Sequence, residues 1–227
     1  ETLALRQLCR FRLWQVDSCS DLKRKVIALL DQIFPEYEQL FSDVFGMSSR
    51  ELLKTYTTPE EIAAIHTTKL ANILNKASKG HFGKEKALEV KAVAKRSLGI
   101  TIGVDAFAFQ LRQIIEQIEF VEEQIAKLDR EIEGYMDSLQ SPVTTLPGVG
   151  PIYGAIILSE IGDISRFPSG KQIVSYAGLD ATVNESGEFQ GQRSSISKRG
   201  SPYLRRALWG EPRLEIEERC PWNSPDS

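Results

Sequence analysis

Nine apolar residues, Leu111, Ile114, Ile118, Val121, Ile125, Leu128, Ile132, Tyr135 and Leu139, follow one another at alternating steps of three and four. A seam with a mean step of about 3.5 keeps facing one partner helix along its length, so the two helices wrap around each other. The residues between are rich in Glu and Gln, as a solvated outer face requires. The chain should therefore contain one long helix with a covered edge. Its partner is either a second chain, which would make the seam a homo-oligomer contact, or the Leu70 to Leu98 region folded back as a hairpin. The sequence leaves both open, and in either case the seam is architecture rather than chemistry.

Upstream of the seam the reading is helical as well. Leu3, Leu5, Leu8, Phe11 and Leu13, then Leu22, Val26, Leu29, Leu30 and Ile33, recur at helical spacing until Pro35 interrupts them. Leu40, Phe41, Val44 and Phe45 give another apolar face that Gly46 ends, and Ser48 or Ser49 can cap a short helix ending near Tyr56. Thr58-Pro59-Glu60-Glu61 then reads as a helix start, with Thr58 as cap, Pro59 in the first turn and carboxylates at the positive end of the dipole. That role explains the paired glutamates better than acid-base chemistry does. No apolar run approaches the roughly 20 residues of a membrane span, and no secretory signal opens the chain, so a cytoplasmic protein without membrane contact is expected. Cys9, Cys19 and Cys220 form no CxxC pair and lie away from His66 and His81, so free thiols and no metal are expected. The chain opens at Glu1 rather than Met, and the expectation is that something precedes it.

The net charge of −3 would argue against a nucleic-acid partner if it were evenly spread. It is segregated instead. Lys69, Lys76, Lys79, Lys84, Lys86, Lys91, Lys95 and Arg96 face only Glu85 and Glu89, and Arg193, Lys198, Arg199, Arg205 and Arg206 lie in a stretch without acids. Such strips suit phosphate neutralisation, although a basic run is also what any solvated face looks like.

From Val143 the texture changes to small residues, glycines and short β-branched runs. The expected organisation is a helical and coiled-coil region over 1–140, a compact module over 141–209 and a disordered tail over 210–227. The fold class is mainly α, with a small α(+β) domain containing a helix-hairpin-helix. Thr145-Leu146-Pro147-Gly148-Val149-Gly150-Pro151 before the apolar helix Tyr153 to Ile161 has that motif's pattern: Gly148 and Gly150 let amide N–H groups face a phosphate beside a positive helix end. The alternative is a plain turn between helices, and the basic residues downstream favour the phosphate grip. A helix over Gln172 to Gly178 should follow. Thr182-Val183 and Phe189 to Arg193 read as strands joined by a turn over Asn184-Glu185-Ser186-Gly187, and Ser201 caps a last helix over Pro202 to Trp209 that buries Leu204, Ala207 and Leu208.

Three ordered blocks, LPGVGPIYGAIILSEIGDISRF, YAGLDATVNESGEF and ISKRGSPYLRRALW, resemble the C-terminal domain of the IS110 family of bacterial insertion-sequence transposases, and LRQLCRFRLWQV, LDQIFPEYEQLF and YTTPEEI are similar to the helical segment before it. The resemblance covers most of residues 1 to 209. It implies a DNA recombinase that cuts and rejoins strands, guided by a structured RNA, with a composite active site. An N-terminal RuvC-like domain supplies a DEDD carboxylate set for Mg2+, and the C-terminal domain supplies a nucleophilic serine. By block order that serine is Ser186, with Ser194, Ser195 and Ser197 as substitutes. Nothing in 1–227 matches the DEDD set, and after Trp209 the chain departs from the family's apolar helix. The implication is a C-terminal fragment that binds DNA, and guide RNA with it, but is inert alone. Gly148, Gly150, Arg193, Lys198, Arg199, Arg205 and Arg206 are the expected nucleic-acid contacts. The competing reading is a non-catalytic coiled-coil assembly module.

Overall fold

The computed structural model describes residues 2–181, 185–186, 189–190 and 195–210, side chains excepted at 185, 186, 189, 190 and 210. The described part is mainly α. Two helices dominate it: α1, Thr2–Ile33, and α6, Val104–Leu139, the helix that carries the seam. Between them lie α2 (Met47–Thr55), α3 (Pro59–Ala64), α4 (Thr67–Ala77) and α5 (Lys84–Lys95). After α6 come α7 (Pro151–Ile161), α8 (Gly170–Tyr176), the two-residue strands β1 (Glu185–Ser186) and β2 (Phe189–Gln190), and α9 (Pro202–Gly210). No helix among the described residues is long and apolar enough to cross a membrane.

The chain forms two compact units, one of residues 1–14 with 125–227 and one of residues 15–124, so both long helices contribute to each. These units do not follow a single cut at Gln140. A linear reading separates the first helical segment from the C-terminal module, whereas the first fourteen residues share a core with it.

In the unit of residues 15–124 the chain's own elements cover part of the seam, while Ile114 and Val121 are half-buried. Leu111, Ile115 and Ile118 are buried. Glu122 of α6 takes both Nη atoms of Arg50 from α2, at 2.5 and 2.9 Å, and Lys23 of α1 at 2.8 Å. Those bonds, led by Arg50, outweigh burial and hold the Glu122 carboxyl below its ordinary range. Lys54 of α2 meets Glu119 at 2.7 Å. Arg112 donates to Thr57 and to Glu61, which also closes the capping box with Thr58 expected from the sequence. The 70–98 region, expected as one possible partner of the seam, packs chiefly on itself and on α2 and α3.

In the other unit Leu5, Cys9 and Leu13 of α1 pack with Ile132 and Met136 of α6 and with α7 and α9. Arg12 pairs with Asp129 at 2.9 Å. Burial of Ile115 and Met136, which the seam skips, reflects helix geometry: a straight helix drifts about 20° per heptad from a 3.5-residue repeat. The same register buries Cys9 and leaves Leu3, Phe11 and Trp14 exposed. Burial pushes the Cys9 thiol up to about 11, against a smaller lowering from its Ser159 hydrogen bond, which makes it inert at neutral pH. Cys19 is likewise a buried free thiol, and Cys220 lies outside the described residues.

Ile118 is 1% exposed within the single chain. Ile118→Lys should therefore lower the melting temperature sharply at every protein concentration, because it places an unpaired charge in a core. A stable, folded Ile118→Lys monomer by circular dichroism and sedimentation would show that only a second chain covers this position.

Candidate nucleic-acid interface

The glycine bend lies at the start of α7. After α6 a 3-10 turn, Pro142–Thr145, leads into it. Gly148 has φ +75, a left-handed conformation that side chains disfavour, and Gly150 caps α7 with Pro151 in its first turn. Residues 144–148 are exposed, so the bend stands open to solvent rather than inside the core. Gly154 lets α7 lie close against the 3-10 turn: a Cβ there would sit 3.1 Å from Val143 and 3.3 Å from Thr144 side-chain carbons.

The basic loop lies elsewhere. Residues 197–201 are laced against residues 176–180 by backbone bonds from Ser197 to Asp180, Lys198 to Gly178 and Ser201 to Tyr176, at 2.7–3.0 Å. The Ser197 hydroxyl also donates to Asp180 at 2.5 Å. The approach is too close for side chains: a Cβ on Gly200 would fall 1.9 Å from the Tyr176 carbonyl oxygen, and one on Gly178, whose φ is +68, would fall 2.8 Å from the Gly200 nitrogen. The AGL and SKRG blocks are thus two halves of one interlock. At its tip Lys198 adopts φ +54, and the Lys198 and Arg199 side chains are exposed.

What seats the interlock is a buried carboxylate. Glu160, 1% exposed near the end of α7, receives Arg10 Nε at 2.7 Å and Nη2 at 3.0 Å, and the Ser201 hydroxyl at 2.9 Å. Arg10 also lies over the Tyr203 ring, 4.6 Å from its centroid, while Arg6 donates to the Ser159 carbonyl and the Tyr176 hydroxyl to that of Glu160. Burial alone would raise the Glu160 carboxyl. The bonds from Arg10 and Ser201 and the charges of Arg10 and Arg6 outweigh it and hold the group below its usual 4.5. Ser201 in turn caps α9 by accepting from Leu204 N, as the sequence indicated, and Leu204 and Ala207 are buried.

These placements sort the expected site residues. Lys198, Arg199 and Arg205 gather around Gly178, and Arg205 Nη1 donates to the Ala177 carbonyl at 3.0 Å, which commits part of that guanidinium to the fold. Arg206 is exposed on α9. Gly148 and Gly150 lie apart from them: ten residues of α7, about 15 Å, separate Gly150 from Glu160, where the basic loop is anchored. Ser186 is in β1, paired with Phe189, so the strands lie nearer the hairpin's end than expected and Ser186 is a strand residue rather than part of a 184–187 turn. Its side chain, Arg193 and Ser194 lie outside the described residues, as do residues 211–227 of the expected tail. Sequence reasoning missed Glu160 and Arg10. The available signal was an acid inside the mostly apolar run Ile156 to Ile161, but nothing in the spacing names a partner 150 positions away. Among the described residues no three His, Cys, Asp or Glu side chains gather as metal ligands.

Residues 140–210, which contain both the bend and the interlock, match the model of a family of insertion-sequence transposases. That family is described as Transposase IS116/IS110/IS902, and the chain is similar to it over this segment. A Pseudomonas aeruginosa protein described as a probable family 20 transposase is 30% identical over 119 residues, covering 52% of this chain and 34% of its own length. The uncharacterized 44.8 kDa protein of insertion element IS116 from Streptomyces clavuligerus is 26% identical over 185 residues, 80% of this chain and 45% of its own. The pilin gene-inverting protein of Moraxella bovis is 41% identical over 69 residues, 30% of this chain and 21% of its own. The chain thus spans less than half the length of these relatives.

Two outcomes test the anchor. Since the Glu160 carboxyl is held low in the folded state, its stabilisation is complete above about 4.5 and is lost as pH falls through the folded value. Glu160→Gln should lower stability at neutral pH and flatten that acid-side decline in urea unfolding; an unchanged decline would remove Glu160 as its source. Gly200→Ala should cost about 2–4 kcal/mol, because the added carbon meets backbone rather than a movable side chain. A loss under about 0.5 kcal/mol, typical of surface sites, would contradict the interlock.

Proposed function

We propose that the unit of residues 1–14 and 125–227 is the DNA-binding part of an insertion-sequence transposase and holds duplex by its sugar-phosphate backbone. The observation that carries this reading is the interlocked loop, which keeps the Lys198 and Arg199 side chains in solvent on a fixed backbone. With the backbone already fixed, only side-chain rotamer freedom is lost when phosphates arrive. The open bend at Gly148 and Gly150 supplies a second contact of another kind, backbone N–H groups at a helix start. Contacts of this kind orient a protein on a duplex without reading bases. Target choice therefore belongs to another component, and guide RNA is the candidate that the family resemblance offers.

In the whole protein the reaction is strand cleavage and rejoining. The Ser186 hydroxyl attacks a phosphodiester, forms a phosphoserine link and releases the other strand end as a hydroxyl, so that the bond is conserved for rejoining. A serine needs activation for this, which Mg2+ on a RuvC-like domain would supply. On this reading the residues that would hold the metal belong to the RuvC-like domain that the family resemblance implies; among the described residues no three such side chains gather.

The chain should bind a short duplex at low salt with an affinity that falls linearly on a log-log salt plot. Lys198→Gln with Arg199→Gln should reduce that slope by about 2, close to 0.9 per phosphate contact. Absence of binding at low salt, or binding indifferent to salt, would refute the reading. For the serine, Ser186→Ala in a protein carrying both domains should abolish the covalent protein–DNA adduct and leave duplex affinity unchanged; an adduct that persists moves the nucleophile elsewhere.

A further inference from the structure

The segment that carries Ser186 grows out of the interlock, and the contacts along it have an order. Ser201 N donates to the Tyr176 carbonyl, Lys198 N to that of Gly178 and Ser197 N to that of Asp180 at 2.8 Å, and beyond them Ala181 and Ile196 form an antiparallel bridge. The next pairs among the described residues are Glu185 with Gln190 and Ser186 with Phe189. Residues 181 and 196 are thus the base of a hairpin whose far end holds Ser186. A two-stranded hairpin is marginal in water by itself, so its register and direction depend on what holds the base. A slip by one residue there would reverse the face that every residue of the strand occupies.

A side-chain bond closes that base. The Ser197 hydroxyl donates to Asp180 Oδ1 at 2.5 Å, the length of a hydroxyl meeting a carboxylate, and accepts from Arg199 N at 3.4 Å. Ser197 therefore touches two features at once, the acid next to the bridge residue Ala181 and the backbone of the basic loop. Bonds to a carboxylate are roughly twice as strong as those between neutral groups, so the Asp180 side chain adds a grip that the backbone bond beside it lacks. Both the amide and the hydroxyl of half-buried Ser197 address Asp180. That double attachment fixes a position, whereas a nucleophile has to leave its partner to reach phosphorus.

We propose that Asp180 and Ser197 are positioning residues: their bond registers the hairpin of Ser186 against the basic loop, so that a phosphate held at Lys198 and Arg199 stands in a fixed relation to the serine. This rests on the reading of Ser186 as the nucleophile, and neither residue of the pair touches the reacting phosphate. Alignment of this kind matters because a misplacement of about 1 Å can cost on the order of 100-fold in rate.

The test has two arms. In the full chain, Ser197→Ala and Asp180→Ala break the same bond, so each should move the Ser186 and Phe189 amide resonances to the same new positions while the amides of α7 stay in place; Ser197→Thr, which keeps the hydroxyl, should leave them all unmoved. In the protein carrying both domains, Ser197→Ala should slow formation of the covalent adduct at saturating duplex by about 100-fold with the duplex Kd unchanged, and Ser197→Thr should recover the rate. Hairpin amides that stay still in Ser197→Ala overturn the proposal, as does an adduct rate that does not fall or that Ser197→Thr leaves slow. A fall in rate matched by an equal loss of duplex affinity also overturns it, since the pair would then be structural. So does an adduct mapped by mass spectrometry to Ser197 itself. Ser186→Ala in parallel keeps this apart from the reading it rests on: an adduct that persists there sinks the nucleophile assignment, whereas an adduct lost there but formed at full rate in Ser197→Ala sinks the positioning pair alone.

Discussion

The unit matched to the family rests on one ionised carboxylate out of water. Removing a glutamate from solvent is costly, and the cost is offset only if every lone pair finds a good donor. Glu160 meets that condition through two nitrogens of Arg10 and the hydroxyl of Ser201. Each donor comes from a different element, so satisfying the charge brings the start of α1, the end of α7 and the start of α9 to one point. A hydrophobic residue there would pack but would not choose those partners. The carboxylate thus gives positional specificity, and the apolar cluster of Leu5, Cys9, Ala155, Ile156 and Leu204 supplies the burial that stabilises it.

From that point the rest of the module is a matter of close backbone approach. Ser201 seated on Glu160 puts Gly200 against Tyr176 and Gly178 beneath Arg199, where side chains would collide. Lys198 and Arg199 are what the interlock turns outward. The glycines and the anchor fix the backbone of this loop, and under the proposed function that places its two cations before phosphates arrive. The glycine bend belongs to the opposite end of α7 from the residue that anchors the loop.

Much of this was legible in sequence where the signal is local, although α2 starts from Gly46 with Ser48 and Ser49 inside the helix rather than capping it. The helix start at Thr58, the stop before Pro35, the glycine bend and the Ser201 cap are decided by residues within one turn of each other, and each forms as read. The long seam was legible as a helix but not as a contact. Its periodicity says that something covers Leu111 and Ile118 without saying that α1, α2 and α3 lie around that end of α6. The first fourteen residues sharing a core with residues 125–210 could not be read either, since long-range pairing depends on partners that pattern leaves unnamed. The glycines of AGL and SKRG carried a family resemblance before they carried a reason; the reason is a backbone contact visible only in three dimensions.

Carboxyl-carbon NMR of the protein labelled at glutamate, followed through an acid titration together with the amides of Arg199 and Ser201, tests the central dependence most directly. A Glu160 midpoint below the usual 4.5, with both amides shifting along the same curve, is what a carboxylate seating the basic loop requires. A midpoint above 4.5, or loop amides that stay still while Glu160 titrates, would mean that the loop is held by something else.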